Sequence, residues 1–178
     1  MKLHSLATAA LTALAATFAQ ADSFTLVGNV SLTDPVFNRP FTLTSLSGSG
    51  TAVHYDAFTF GGVSAGSYDF RMIGNPTTFD TFLVLYAGGF NPASPLTNLV
   101  ALNDDFVSGN TASGSGFTFT LAATTVYTLV STAFSNSGVG GYTTTVLPSP
   151  VPEPASYGLM ALGLIGVGVT ARRRMLRG

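Results

Sequence analysis

The sequence predicts an all-β protein whose body is an antiparallel β-sandwich, of jelly-roll type, with about eight or nine short strands. Three observations predict this class. Runs rich in Val, Thr, Phe and Tyr recur along the chain, with Gly, Asn, Pro or Ser between them. Several of these runs alternate apolar and polar residues with a period of two, as half-buried strands do. Finally, no stretch between residues 22 and 150 has a helical period in its apolar residues.

The predicted strands follow one another closely enough for a single sandwich domain over residues 22–150. In order, they are Phe24–Ser31, Phe41–Leu46, Val53–Phe60, Ser67–Ile73, Thr81–Tyr86, Leu96–Leu102, Gly116–Leu121, Val126–Phe134 and Gly141–Leu147. Alternation is clearest at the seventh, where Phe117, Phe119 and Leu121 share one face. The segment from Phe82 to Tyr86 is instead apolar throughout, which predicts a strand that is covered on both faces.

Residues 1–21 have the three parts of a secretory signal peptide. Lys2 supplies the basic start, residues 6–18 are apolar, and Ala19 and Ala21 form an A-x-A cleavage site. We therefore expect export through the secretion translocon, with Asp22 as the first mature residue.

Residues 151–178 form a second targeting segment. The motif Pro152-Glu153-Pro154 precedes a charge-free apolar run over residues 155–171. At about 1.5 Å per residue this run reaches roughly 25 Å, which predicts a single transmembrane helix rather than a buried core helix. A basic cluster follows, and it is expected to stop the helix on the cytoplasmic side of the membrane. Its members, within residues 172–177, are Arg172, Arg173, Arg174 and Arg177.

This order of motif, apolar run and arginine cluster resembles the PEP-CTERM sorting signal of Gram-negative, exopolysaccharide-producing bacteria. The resemblance implies that the chain is a substrate of an exosortase, a membrane-embedded cysteine transpeptidase that cleaves close to Pro152-Glu153-Pro154. It also implies a precursor anchored in the inner membrane, and a mature protein at the cell surface or in an extracellular matrix of exopolysaccharide or biofilm. The segment His54–Phe58 resembles the FxDxF group of PEP-CTERM proteins, except that His54 replaces the first Phe.

The charge of the predicted body restricts its partners. Residues 22–150 contain seven aspartates and two arginines, a net charge of −5, and neither lysine nor glutamate. An acidic surface without basic clusters argues against nucleic acid as a partner. Cysteine is absent, so stability must come from packing, hydrogen bonds or bound ions rather than from disulfides.

Four segments in order resemble the bacterial pre-peptidase C-terminal, or PPC-like, β-sandwich. They are Tyr55–Phe60, Asp80–Tyr86, Asn103–Asp105 and Gly140–Thr143. The resemblance implies a non-catalytic accessory module, and some modules of this kind bind calcium.

A cluster of oxygen-bearing side chains gives the candidate calcium site: Asp80, Asn103, Asp104 and Asp105. Calcium takes six to eight oxygen ligands, which carboxylates, an amide and backbone carbonyls supply. Two adjacent carboxylates repel each other, and a divalent cation relieves that cost. The alternative is a solvated turn in which Asn and Asp bond to the local backbone.

Catalysis has little support in the sequence. Gly62–Gly66 matches G-x-S-x-G around Ser64, but a nucleophile elbow needs a following helix and a downstream histidine, and His54 lies upstream. We expect these glycines to form a hairpin turn instead. Nothing places an acid pair such as Asp56 and Asp80 across a cleft.

Two functions remain open, and neither is enzymatic. One is an exported, exosortase-sorted matrix protein. The other is a calcium- or carbohydrate-binding module that uses the Asn103–Asp105 loop.

Overall fold

A computed structural model describes residues 22–76, 78–106 and 114–149, together with Gly163. These residues contain eleven β-strands rather than eight or nine, and every pairing is antiparallel. The strands are β1 Phe24–Val30, β2 Val36–Phe37, β3 Pro40–Thr42, β4 Ser45–Leu46, β5 Val53–Phe60, β6 Gly66–Asn75, β7 Thr81–Ala87, β8 Leu99–Asn103, β9 Gly114–Leu121, β10 Tyr127–Ala133 and β11 Gly140–Pro148.

Two sheets form a sandwich, as predicted. One has four strands in the order β1-β11-β6-β9, and the other has five in the order β2-β5-β10-β7-β8. The main core lies between them, where Tyr68, Phe70 and Met72 of β6 belong to the same buried cluster as Leu83 and Leu85 of β7. On β6 the intervening Asp69 and Arg71 are not buried, because successive side chains of a strand point to opposite faces.

The prediction that Phe82–Tyr86 is covered on both faces is confirmed, since every residue from Thr81 to Tyr86 is buried. Leu83 and Leu85 face the main core. Phe82, Val84 and Tyr86 belong to a second, smaller core on the other face of the five-stranded sheet. Phe37 of β2 and Phe90, from the loop that follows β7, belong to this second core and pack edge to face at 5.2 Å between ring centroids.

The predicted strand Phe41–Leu46 is wrong, because these residues form a separate two-stranded hairpin of β3 and β4. The chain reverses at Leu43 and Thr44, where the Thr42 and Ser45 hydroxyls lie 2.7 Å apart. Short side-chain bonds of this kind compete with an extended strand.

The hairpin expected at Gly62–Gly66 is also wrong. β5 and β6 belong to different sheets, so this segment carries the chain from one sheet to the other. Gly62 adopts a φ of 73°, a conformation that glycine takes without steric cost. The Tyr68 hydroxyl donates to the Ser64 carbonyl at 2.9 Å and holds the crossing in place.

The strand register defines two ends of the sandwich. We call the end that holds Asp22 and Ser149 the tail end, because the C-terminal segment follows Ser149. The Ser149 backbone N–H donates to the Ser67 carbonyl there at 2.9 Å. The far end holds the start of β11 and the start of β7. The nine residues of β11 connect the two ends, a distance of roughly 30 Å at about 3.3 Å per residue.

The predictions for the two targeting segments fall outside the described residues. These are the signal peptide at 1–21, the motif at 152–154, the membrane helix at 155–171, apart from Gly163, and the arginines at 172–177. Among the residues that are described, no helix has the length and apolar character needed to cross a membrane.

Candidate functional site

Three carboxylates lie at the far end of the sandwich, at the ends of two neighbouring strands. Asp80 immediately precedes β7, while Asp104 and Asp105 immediately follow β8. Because β7 and β8 pair antiparallel, with Leu83 opposite Asn103, the start of one strand lies beside the end of the other. The structure thus brings Asp80 close enough to Asp104 and Asp105 for their charges to interact. We refer to these three side chains as the acidic cluster.

A fourth charged group, Arg39, lies beside the acidic cluster and was not identified from the sequence. Its side chain is only 1% exposed. Nε donates to the Phe134 carbonyl at 2.8 Å, and Nη1 donates to the Pro40 carbonyl at 3.2 Å. The guanidinium carbon lies 4.3 Å from the centroid of the Phe82 ring and 4.4 Å from that of Phe134. This geometry is a double cation–π contact in a desolvated position.

A glycine makes room for the buried arginine. A Cβ added at Gly50 would lie 2.5 Å from Arg39 Nε and 2.8 Å from its Cγ, closer than any real side chain allows. The Arg39 backbone N–H donates to the Gly50 carbonyl at 3.0 Å, and the Ser47 N–H donates to the Arg39 carbonyl at 2.9 Å. The segment 47–50 therefore closes directly over the guanidinium.

Burial and charge repulsion both favour the protonated forms of Asp80 and Asp104. Burial, followed by the charges of Asp80 and Asp105, raises the pKa of Asp104 to about 6, although Arg39 opposes the shift. Burial and then Asp105 raise the pKa of Asp80, again against Arg39. Burial lowers the pKa of Arg39, but its ordinary value is so high that it stays charged at neutral pH.

The acidic cluster has more negative than positive charge around it, and one of its buried oxygens lacks a hydrogen-bond partner among the described residues. When ionised, its three carboxylates face one guanidinium, which leaves a local charge of −2. Asp104 Oδ1 is buried and has no hydrogen-bond partner within the described residues, which is costly for a carboxylate. These features suit a divalent cation that prefers oxygen ligands. Within the described residues, however, no group of three or more His, Cys, Asp or Glu side chains converges as a metal centre. The ligand set with Asn103 therefore stays a prediction.

The structure does not assemble the catalytic alternatives. His54 is the second residue of β5, and Ser64 lies beyond the other end of that strand, so most of the length of β5, roughly 20 Å, separates them. His54 Nδ1 instead lies 2.8 Å from the Asp34 carbonyl. Asp56 and Asp80 belong to β5 and the start of β7, which are separated by β10 in the sheet.

Comparison with protein families adds one finding for the end of the chain. Residues 150–174 match the model of the PEP-CTERM protein-sorting motif. The chain carries a PEP-CTERM sorting motif. The match spans Pro152-Glu153-Pro154, the apolar run and Arg172–Arg174, so the resemblance seen in the sequence is confirmed. The motif implies an exported, membrane-anchored precursor that an exosortase processes and that is sorted to the cell surface.

Among solved structures, this chain resembles the pre-peptidase C-terminal domain of a collagenase from Bacillus anthracis. The TM-score is 0.44 at 18% sequence identity, and the alignment covers 70% of this chain and 88% of that domain. No significant match was found among curated proteins.

Proposed function

We propose that this protein is a non-enzymatic component of an extracellular polysaccharide matrix, delivered by an exosortase. The observation that carries the proposal is the sorting motif at residues 150–174, joined to an acidic β-sandwich. The precursor is exported through the secretion translocon of a Gram-negative cell and held in the inner membrane by the apolar run. Cleavage near Pro152-Glu153-Pro154 then releases the sandwich to the exopolysaccharide or biofilm.

The tail end of the sandwich supports this delivery. Only three residues lie between Pro148, the end of β11, and Pro152, a reach of about 10 Å. An enzyme that cleaves at the motif must therefore bind close to the tail end of the sandwich. The connecting segments there, residues 61–65 and 122–126, carry no charged side chain, so these segments, unlike Asp22 at the same end, approach a membrane at little desolvation cost. The acidic cluster lies at the opposite end of the sandwich.

Cell fractionation tests this proposal. The full chain is expressed in an exopolysaccharide-producing host, with and without its exosortase gene, and is followed with an antibody against the sandwich. We expect the protein in the polysaccharide fraction of the parent strain and in the membrane fraction of the deletion strain. Equal distribution in the two strains, or absence from the polysaccharide of the parent, would contradict the proposal.

A second candidate function is calcium binding at the acidic cluster. It is favoured by the partnerless Asp104 Oδ1 and by the local charge of −2. Asp80, Asp104 and Asp105 supply carboxylate oxygens, and Asn103 supplies an amide oxygen. In this role the ion joins the start of β7 to the end of β8 and stabilises the far end of the sandwich, with no part in catalysis.

Calcium is expected to raise the melting temperature of the full chain in detergent by about 5 °C or more at pH 7.5, relative to a chelator. The raised pKa of Asp104 sets the pH dependence. Without metal, the protonated Asp104 carboxyl stabilises the folded state. This contribution is present in full below about pH 4 and is lost as the pH rises through about 6. Because protons and calcium compete for the same carboxylate, the calcium effect should shrink at pH 5.

A matched pair of variants gives the control for calcium binding. Asp104→Asn should abolish the calcium effect at pH 7.5, while Asp69→Asn, on the outer face of the four-stranded sheet, should retain it. Identical melting in calcium and chelator for the unmodified chain would exclude the site.

A further inference from the structure

We infer that a groove along one side of the sandwich binds a neutral polysaccharide chain. The inference rests on the matrix association proposed above and deepens it by naming the ligand and its site. The groove lies between β1, the end strand of the four-stranded sheet, and β5 of the other sheet. Its volume is about 390 Å³, within the usual range for ligand sites.

Two unpaired strand edges border this groove. Among the described residues, β1 pairs only with β11. β5 pairs with β2 only through Val53 and His54, so from Asp56 to Phe60 its outer edge has no strand neighbour among the described residues. Unpaired edges present backbone donors and acceptors in a row. Such a row suits a polymer with many hydroxyl groups.

The polar part of the groove is built by residues far apart in sequence. The Tyr142 hydroxyl donates to Asp56 Oδ2 at 3.0 Å, and Tyr142 itself is 7% exposed. Gly28 lies opposite Tyr142 in the pairing of β1 with β11. Any Cβ at Gly28 would collide with the Tyr142 ring and hydroxyl. The missing side chain of Gly28 therefore lets the tyrosine pass beneath β1 and fix the carboxylate that lines the groove.

The apolar part of the groove is a supported aromatic ring. Phe58 lines the groove and is 42% exposed. Its ring stacks on Phe60, with an interplanar angle of 15° and 6.3 Å between centroids, and lies 6.0 Å from Phe24. A ring face carries negative charge density and attracts the apolar, weakly positive C–H face of a sugar. An aromatic face beside a fixed carboxylate and hydroxyl thus matches both the apolar C–H face and the hydroxyl groups of a sugar ring.

Charge decides which polysaccharide fits. Asp56 lines the groove, no arginine or lysine of the described part of the chain does, and the body has a net charge of −5. An anionic polymer would meet repulsion in this site, whereas a neutral one would not. An added peptide strand would pair with a free edge through its backbone alone, and it would have no need of the Asp56–Tyr142 pair. The observations therefore favour a neutral polysaccharide.

Affinity electrophoresis of the full chain in detergent tests the inference. Native gels contain dextran, a neutral galactomannan or the anionic polymer alginate. We expect retardation by at least one neutral polymer and none by alginate. Phe58→Ala and Asp56→Asn should each weaken binding about tenfold. Phe41→Ala, which removes a 65% exposed ring on β3, should leave binding unchanged. Melting temperatures measured in parallel show that the variants fold.

Three results would overturn the groove as the site: no retardation by either neutral polymer, retardation by alginate, or binding by folded Phe58→Ala and Asp56→Asn that equals that of the unmodified chain. Fractionation of Phe58→Ala cells separates this inference from the proposed function. If the unmodified chain reaches the matrix and the variant does so equally well, the groove is wrong and the matrix role stands. If the unmodified chain does not reach the matrix, the proposed function itself fails.

Discussion

Replacing Arg39 with alanine is expected to destabilise the sandwich by about 3–5 kcal/mol. The substitution removes the bonds to the Phe134 and Pro40 carbonyls and the contacts with two aromatic rings. It also leaves a cavity, because the side chain is almost completely buried. The acidic cluster would lose its nearest positive charge. Chemical denaturation of the full chain, with unfolding followed by tyrosine fluorescence, measures the change.

Arg71 provides the matched control for Arg39, because it is the other arginine of the body. It is exposed on β6, with its guanidinium 5.3 Å from the Phe106 centroid. Arg71→Ala is expected to cost less than about 1 kcal/mol, as exposed cation–π contacts are weak. If the two variants differ by less than about 1 kcal/mol, Arg39 does not stabilise the far end as described.

Substituting Glu153 with alanine is expected to block processing of the precursor. Glu153 is the only glutamate in the chain. It lies between two prolines whose rings fix φ near −65°, and the neighbouring proline favours an extended backbone. A single carboxylate on a stiff segment is a recognisable feature, and an enzyme site built to pair with it rejects a side chain that lacks it.

We expect the processed fraction of Glu153→Ala to fall at least about tenfold, with the precursor retained in the membrane. Immunoblotting of membrane and extracellular fractions measures this. Ser149→Ala, just outside the matched motif, should be processed normally. Normal release of Glu153→Ala would show that the carboxylate plays no part in recognition.

Strand periodicity was the strongest guide to the fold. β5 was predicted with its actual bounds, and β6 and β7 within a few residues, because their alternate or continuous burial leaves a clear pattern. β2 has two residues, too few for any periodicity. The hairpin of β3 and β4 was missed because local hydroxyl bonds reverse the chain inside an apolar run. Glycine-rich turns look the same within a sheet and between sheets, so the crossing at Gly62 was not foreseen.

The acidic cluster was only partly visible in the sequence. The proximity of Asp80 to Asp104 and Asp105 followed from placing them at strand ends. The burial of Arg39 depends on the gap left by Gly50, which has no periodic signal. The Asp56–Tyr142 bond joins positions 86 residues apart, and it depends on which strand forms each edge of the two sheets. Side-chain patterns within a strand carry no information about that order.

In the proposed pathway, the tail at residues 151–178 delivers the β-sandwich and is then removed. Mass spectrometry of the C-terminal peptide of the extracellular protein tests this most directly. The predicted result is a mature chain that ends close to Pro152-Glu153-Pro154 in the parent strain, and a full-length chain in membranes of the exosortase deletion. A mature extracellular protein that retains Arg172–Arg174 would contradict it.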